Sequence, residues 1–288
     1  MKKYLAILLV VLLCFISVEV LAKSKKAGKK MNYTYGTKTF NTPEAYSLPS
    51  SYFLDLRGIY KTATTQQYTA DVAILHNIQG HTITLNDIDE TNNVGTEGPI
   101  AGGRDQSAEF ATGWVHIFFI YNPVTGDISS LSSESATEPT LPEGYTFFVR
   151  VGCIEYNDVS NTIRRSYQMG DRVSYDVIWV RWDDHADANP ETLTLTLYVP
   201  PTAKQVHGIM GLSAGATARK MYVAADSTPY IKIGTLSDAA GTGDQTYDAV
   251  SGPTIFTLPL ITAQTIYWRT ETTDNVYALG ISGFTDDL

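Results

Sequence analysis

A serine in the second half of the chain lies in a pattern that many hydrolases use for their nucleophile. Gly211-Leu212-Ser213-Ala214-Gly215 matches G-x-S-x-G, in which a sharp turn between a strand and a helix exposes the hydroxyl. That fold also needs a histidine later in the chain, but the last histidine, His207, precedes the serine. The residues after Ser213 offer no adequate helix. The sequence therefore argues against a hydrolase, and we predict no catalytic residue and no enzymatic activity.

Oxygen-bearing side chains alternate along a short acidic stretch, as they do in calcium-binding loops. The candidate metal ligands are Asp183, Asp187, Asn189 and Glu191. A calcium loop also needs a glycine at its sixth position for its sharp turn, and Ala188 stands there instead. We therefore interpret the stretch as a solvated loop between two strands, and we predict no metal or other cofactor.

Tryptophan side chains are the candidate ligand-binding residues, because sugar rings stack on exposed aromatic faces through their C–H groups. The candidates are Trp179, Trp182 and Trp268. On a regular strand Trp179 and Arg181 would share one face and Trp182 would lie on the other, so at least one of these rings is expected in the core. For each tryptophan taken singly, burial is the simpler interpretation.

Histidine and cysteine residues show no spacing typical of a metal site. His116 alternates with Trp114 and Phe118, so we expect these three on one strand face, which the sequence does not assign to core or surface. We favour a buried, hydrogen-bonded histidine over a metal ligand. Cys14 lies in the apolar leader, and its removal would leave Cys153 without a disulfide partner. Cys153 ends an apolar run and is predicted to be a small buried hydrophobe, not a reactive thiol.

The elements that must position these residues are predicted to be short β-strands. The 18 tyrosines and frequent threonines favour pleated, half-buried strands over helices. The clearest pattern, Gly113 to Gly152, reads as strand, turn, short strand, long polar loop and returning strand. Thr192 to Val199 alternates strictly and predicts a strand with its three leucines on one face. Asn86 to Gly103 is acidic and then glycine-rich, and is predicted to be a loop.

Strand candidates separated by turn residues continue to the C-terminus, a spacing typical of β-sandwiches. We predict an all-β fold of two β-sandwich, jelly-roll-like units with mostly antiparallel short strands. The first unit spans residues 51–176 and the second spans residues 177–288. A leader (residues 1–22) and a Lys-rich linker or arm (residues 23–50) precede them.

The charge of the chain is unevenly distributed. Residues 1–30 carry +6 and the remainder −15, out of a formal net charge of −9. An acidic body lacks the basic footprint of a nucleic-acid binder, so no nucleic-acid partner is expected. The N-terminus has the layout of a signal peptide, with an apolar run from Leu5 to Val18 and a cleavage site after Ala22. The lysines that follow oppose translocation, so an uncleaved anchor and a start at Met31 stay open.

A set of motifs in fixed order makes the chain similar to a known group of proteins. The motifs are Gly113-Trp114-Val115-His116, Tyr121-Asn122-Pro123, Pro139 to Thr146, Arg150-Val151-Gly152, Tyr167 to Val173 and Val199 to Ala203. In this order they resemble a recurrent module of tail-fibre-like and other structural proteins of tailed bacteriophages and prophages, from Tyr52 to the C-terminus.

The resemblance implies a β-rich, non-enzymatic virion or appendage protein that contacts other virion proteins or a host-surface glycan. It also implies a homo-oligomer, often a trimer, at the virion surface. A second hypothesis accounts better for the leader: a secreted or envelope-associated bacterial carbohydrate-binding β-sandwich protein. The loop from Ser129 to Glu143 is acidic and not aromatic, so we expect a binding surface, if there is one, in the second half of the chain.

Overall fold

Strands account for all the regular secondary structure in the described part of the chain. The computed structural model describes residues 52–183, 190–212, 219–227, 232–237, 250–251, 254–270 and 277–288. No helix lies among these residues, and thus none there could span a membrane. The predicted leader, its cleavage site after Ala22, the Met31 start and the Lys-rich arm lie outside the described residues.

Eighteen strands are found within the described ranges. In chain order they are β1 (Tyr52–Leu54), β2 (Arg57–Thr62), β3 (Thr65–His76), β4 (Thr82–Asn93), β5 (Gly113–Tyr121), β6 (Ile128–Ser133), β7 (Phe147–Asn157), β8 (Thr162–Ile163), β9 (Ser166–Met169), β10 (Arg172–Asp183), β11 (Glu191–Thr194), β12 (Gln205–Leu212), β13 (Arg219–Ala224), β14 (Lys232–Ser237), β15 (Val250–Ser251), β16 (Thr254–Pro259), β17 (Thr265–Thr270) and β18 (Tyr277–Thr285).

The segment from Gly113 to Gly152 folds as the sequence predicts, with β5, a turn, β6, a long loop and β7. Asn122 makes the turn: its Oδ1 accepts hydrogen bonds from the N–H groups of Val124 (2.9 Å) and Thr125 (3.3 Å). Gly126 closes it with φ of 82°, a conformation that residues with a Cβ rarely adopt. β5 pairs with β6 on one side and β7 on the other. Its continuous apolar run reflects burial on both faces.

The strands form two sheets, and the described pairs between strands are antiparallel except for β14 with β15. The large sheet runs β16-β12-β18-β10-β9-β2-β3-β7-β5-β6, with β1 and β4 also pairing with β3 and β8 pairing with β7. The small sheet runs β11-β17-β13-β14-β15. The predicted all-β class, with mostly antiparallel short strands packed as sandwiches, is confirmed.

The first core lies between β3 and β4 on one side and β5 and β7 on the other. These two groups of strands are linked by a single residue pair, His76 with Phe148. Tyr68, Leu75 and Ile88 come from the first group, and Ile117, Phe119 and Tyr156 from the second; all are buried. Burial of such side chains is the main favourable contribution to the stability of the fold.

The second core lies between the other end of the large sheet and the small sheet. β10, β12, β16 and β18 contribute buried residues such as Val206, Phe256 and Phe284. β13 and β17 contribute Val223 and Trp268 from the opposite side. Cys153 of β7 also belongs to this core, so the first half of the chain packs directly on the second.

The predicted boundary at Asp176 falls inside β10, which continues from Arg172 to Asp183. The described residues belong to one compact unit, and the large sheet takes strands from both sides of that boundary. Two large cores are thus observed in the described part of the chain, with a third, small cluster of Phe118, Ile120, Leu131 and Phe148. The division of residues 51–288 into two units stays a prediction.

Two local predictions were wrong. Residues 86–93 were expected in a loop, but they form the last two thirds of β4, which pairs with β3 as far as Asn93. The strand predicted from Thr192 to Val199 ends at Thr194. The N–H groups of Tyr198 and Val199 both bond back to the carbonyl of Leu195, which makes a turn there. Leu195 is buried by this turn, while Leu197 is 56% exposed.

Candidate functional site

The residues predicted to carry catalysis or bind a metal are only partly described. Ser213, Asp187 and Asn189 lie outside the described residues. Asp183 ends β10 and Glu191 begins β11, and the described residues contain no group of three or more potential metal ligands. The proposed metal candidates therefore stay untested. His207 is held by the hydroxyls of Thr257 and Thr285, each 2.9 Å from a ring nitrogen.

The three candidate tryptophans lie in different environments. Trp179 is 48% exposed on the outer face of β10, and Trp268 is 3% exposed in the second core. The side chain of Trp182 lies outside the described part. The expectation that Trp179 and Arg181 share a face was wrong because a β-bulge separates them: Trp179 pairs with Gly280, but Arg181 pairs with Leu279. Arg181 consequently turns inward and lies 5.7 Å over the Trp268 ring.

Four polar side chains meet where the first core adjoins the second; we call His116, Arg150, Cys153 and Asp286 the junction cluster. Arg150 Nη1 lies 3.3 Å from His116 Nδ1 and 3.6 Å from Asp286 Oδ2. The Cys153 thiol donates to the same carboxylate oxygen, 3.5 Å away. Arg150 Nη2 also donates to the backbone carbonyl of Asp287. Strand β7 thus binds the residues that directly follow β18, and His116 of β5 contacts the arginine that does so.

Burial and charge set the protonation of the junction cluster. Burial, with a further contribution from the Arg150 charge, lowers the pKa of His116 to about 4, so the ring is neutral at pH 7. Burial, reinforced by Asp286, raises the pKa of the Cys153 thiol well above its ordinary value. The thiol is therefore protonated and almost fully enclosed. Nucleophilic chemistry needs an accessible thiolate, so the arrangement does not suit it.

Aromatic and ionic contacts surround the junction cluster. The ring of Trp114 packs edge-on against Phe284, 5.4 Å between centroids, and its Nε1 donates to the Thr196 carbonyl at 2.9 Å. Tyr175 donates to the Tyr198 carbonyl. Arg164, which is paired with Glu155, stacks on the Tyr175 ring at 5.2 Å. The turn after β11 is therefore fixed to strands of both cores.

Three unpaired polar atoms lie close to the junction cluster. Tyr68 Oη, Gln168 Oε1 and Asp286 Oδ1 are buried and have no hydrogen-bond partner within the described residues. The first two lie beside Gly152, where a Cβ would touch both side chains. The absence of a side chain at Gly152 is what lets Tyr68 and Gln168 approach β7.

Sequence reasoning found two of the four junction residues, His116 and Cys153, and predicted their burial correctly. It missed Arg150 and Asp286, because each is an ordinary charged residue in its local pattern. The Arg-Val-Gly motif of β7 was noted only for its resemblance. The local signal that could have identified Arg150 is its position within a run of buried residues, where a charge needs a partner.

A shallow hollow on the small sheet has a volume of about 10 Å³, room for about one water molecule. It is lined by Pro190, Tyr222, Ala224, Asp226, Tyr267, Trp268 and Arg269. Tyr222 pairs with Arg269, and Ala224 pairs with Tyr267, across β13 and β17. The Arg269 guanidinium lies 4.8 Å over the Tyr222 ring. Within the described residues, Asp226 Oδ1 and Trp268 Nε1 have no hydrogen-bond partner.

No model of a known protein family matches the chain, and no curated protein is significantly similar to it. Its function therefore has to be inferred from the side chains and from the order of its motifs.

Proposed function

We propose that this chain is a non-enzymatic structural protein of a phage-tail-fibre type, which builds or decorates an appendage. The observation that carries the proposal is the junction cluster. Its histidine, thiol and ion pair are the side chains best suited to chemistry, and all of them are enclosed and used to hold the last strand against the first core. The order of motifs from Trp114 to Val173, which resembles such structural proteins, supports the same class.

The architecture suits a mechanical role. The large sheet passes through both cores, so a force applied to one core is transmitted through backbone hydrogen bonds to the other. The Trp114, Tyr175 and Arg164 contacts add side-chain links across the same junction. A protein of this kind acts by shape and by many separate contacts, so no single side chain would be essential.

Assembly with further copies of the chain is part of the proposal. Large apolar side chains lie on the outer face of the large sheet: Ile255 is 78% exposed, Trp179 48% and Val177 41%. Ile255 pairs with Ile209, which pairs with Gly280, which pairs with Trp179, so Ile255 and Trp179 lie in one row across four strands. Val177 lies next to this row, beside Gly280. Contiguous apolar surface of this kind is typical of protein interfaces. Sedimentation equilibrium of the purified chain would give its mass, and a monomer at micromolar concentration would contradict this part of the proposal.

Localisation tests the main proposal directly. Particles produced by cells that carry the gene would be purified on a density gradient and analysed by mass spectrometry and immunogold electron microscopy. We expect the chain to sediment with the particles and the gold to label an appendage. Recovery of the chain only from the envelope or the medium would overturn the virion assignment.

A second candidate function is a secreted or envelope-associated carbohydrate-binding protein, and the signal-peptide layout of residues 1–22 favours it. Both candidates include contact with a cell-surface glycan, and they differ in where the chain resides. The particle analysis therefore separates them without any assumption about the ligand.

A further inference from the structure

The edges of the large sheet differ in how they are protected. Apart from the short β1 and β8, three of its strands pair with one neighbour only within the described residues: β4, β6 and β16. The backbone groups on the other side of such a strand can pair with a second chain. Natural proteins usually prevent this with charged side chains, prolines or a covering loop.

The edges at β6 and β4 are protected in two different ways. A loop covers β6: the N–H of Gly102 donates to the carbonyl of Ser130 (2.7 Å), and the N–H of Asp105 donates to that of Ser132 (2.8 Å). Charge protects β4, which contains three acidic residues, Asp87, Asp89 and Glu90. Neither edge is therefore suited to pairing with another chain of the same acidic protein.

The edge at β16 (Thr254–Pro259) has neither protection in the described part of the chain. Residues 249–268 contain no charged side chain, and this is the longest such run in the sequence. Where the structure describes the chain, Ile255 to Leu258 pair with β12 alone, and no loop backbone bonds to their other side. Pro259 lacks an N–H group and ends the strand. The available edge is thus short and uncharged.

An exposed apolar side chain lies on this edge. Ile255 is 78% exposed and begins the row that runs through Ile209 and Gly280 to Trp179 on the outer face of the large sheet. Ile261, in the turn after the strand, is 62% exposed. A strand added beside β16 would cover part of Ile255 and would also satisfy the backbone groups of the edge.

We propose that β16 pairs with β16 of a second copy of this chain, antiparallel and about a two-fold axis perpendicular to the sheet. Such an axis keeps the outer faces of both copies on the same side, so their two apolar rows join into one strip across the dimer. The contact is self-complementary, as a two-fold interface must be. This inference rests on the assembly part of the proposed function and names the surface that mediates it.

The charge distribution favours a second copy as the occupant of this edge. Outside residues 1–30 the chain carries a formal charge of −15, so two copies repel each other over most of their surfaces. They approach at the lowest electrostatic cost where neither carries a charge, and β16 lies in such a stretch. A basic partner would instead gain most from the acidic surfaces elsewhere on the chain.

Sedimentation equilibrium of the purified chain and of two aspartate variants tests the edge. The wild type should have the mass of two chains at micromolar concentration. Ile255→Asp places like charges on the same face of both strands at the contact, so the dissociation constant of the dimer should rise about tenfold or more. Val159→Asp is the matched control, because Val159 is 93% exposed in the turn after β7. It should keep the wild-type mass.

Cross-linking locates the contact independently of the aspartate variant. Thr257→Cys places a thiol at an exposed position of β16, and a short bis-maleimide should join two copies through it. The parent chain already contains Cys14 and Cys153, so its own level of cross-linking is the baseline. Val159→Cys should stay at that baseline. Circular dichroism verifies the fold of each variant, and the cross-link keeps the test valid if Ile255→Asp unfolds.

The possible failures are distinguishable from one another. A wild-type dimer that Ile255→Asp leaves unchanged, an odd number of chains, or Thr257→Cys cross-linking at the baseline level would overturn pairing through β16 but leave assembly itself in place. A monomeric wild type would overturn both the pairing and the assembly part of the proposed function. None of these results decides the virion assignment, since incorporation of the chain into particles is measured separately.

Discussion

The Arg150 guanidinium, which extends from β7, lies 3.6 Å from the carboxylate of Asp286, which directly follows β18. The Asp286 side chain is fully buried and that of Arg150 is 12% exposed, so the pair is largely removed from water. Desolvation offsets much of the attraction in such a pair. Removing one partner, however, leaves the other charge buried and uncompensated. The last strand is therefore tied to the first core by a contact that is costly to break from one side.

Arg150→Met tests this link. We expect the free energy of unfolding to fall by about 3–5 kcal/mol, because Asp286 would stay buried without its partner. Urea denaturation, followed by circular dichroism, measures the change. The double variant Arg150→Met with Asp286→Asn should recover part of the loss, since the uncompensated charge is then absent.

The matched control for Arg150→Met is the ion pair of Arg57 with Asp55, 2.9 Å apart, with side chains 53% and 47% exposed. Water screens this pair, so Arg57→Gln should change the free energy of unfolding by at most about 1 kcal/mol. Equal effects of the arginine substitutions at 57 and 150 would show that the junction pair has no special structural importance.

The sequence was sufficient to predict the turns whose determining residues are neighbours in the chain. The β5–β6–β7 segment was predictable because Asn122 and Gly126 determine their own turn and because the apolar runs between turns are unbroken. The burial of Cys153 followed from its place at the end of such a run, whereas the alternation around His116 did not assign its face to core or surface.

The remaining features depend on contacts between distant segments. The turn that replaces the end of the predicted strand at Thr192–Val199 is fixed by Trp114 and Tyr175, which bond to Thr196 and Tyr198. Pairing with β3 extends β4 through acidic residues that have low strand propensity on their own. The bulge that turns Arg181 inward is set by the register with β18. None of these partners can be read from the local pattern.

The neutral His116 predicts acid sensitivity. Its pKa is lowered to about 4 in the folded protein, from an ordinary value of 6.5, so the unfolded state binds the proton more tightly. The stabilising contribution of the neutral His116 is therefore fully present above pH ~6.5. It decreases as the pH falls below this value and is absent below pH ~4. The shift corresponds to about 3 kcal/mol. Denaturation midpoints between pH 7 and pH 4 measure it.

The pH dependence of stability is compared between two histidine variants. His116→Gln should have a flatter dependence of stability on pH across this range, whatever its stability at pH 7. His81→Gln, which changes an exposed histidine outside the junction cluster, is the matched control. An undiminished slope in His116→Gln would assign the acid sensitivity to other groups.

The burial of Glu90 predicts a pH dependence of stability with the opposite sign to that of His116. Burial, followed by the charge of Asp89, raises its pKa to about 7 from 4.5, so the folded state holds the proton more tightly than the unfolded state does. This stabilising contribution is present below pH ~4.5 and lost as the pH rises through ~7. Glu90→Gln should therefore be more stable than the wild type at pH 8 but gain less at pH 5. The exposed Glu143→Gln is the control, and a pH-independent effect of Glu90→Gln would contradict the prediction.

We predict that a side chain at position 152 would clash with its neighbours beside the junction cluster. A Cβ there would contact Gln168 Oε1 and lie 3.1 Å from Tyr68 Oη. The glutamine cannot move away freely, because its Nε2 donates to the carbonyls of Val151 (2.7 Å) and Gly170 (2.8 Å). Gly152→Ala should therefore lower the free energy of unfolding by about 1–3 kcal/mol, the usual cost of inserting a methyl group into a well-packed core.

The control is Gly211, which has no described atom close to where its Cβ would lie. Gly211→Ala should therefore leave stability within about 0.5 kcal/mol of the wild type. Similar midpoints for the two alanine variants in urea denaturation would show that β7 has room to yield at Gly152, and that the close approach of Tyr68 and Gln168 does not depend on the glycine.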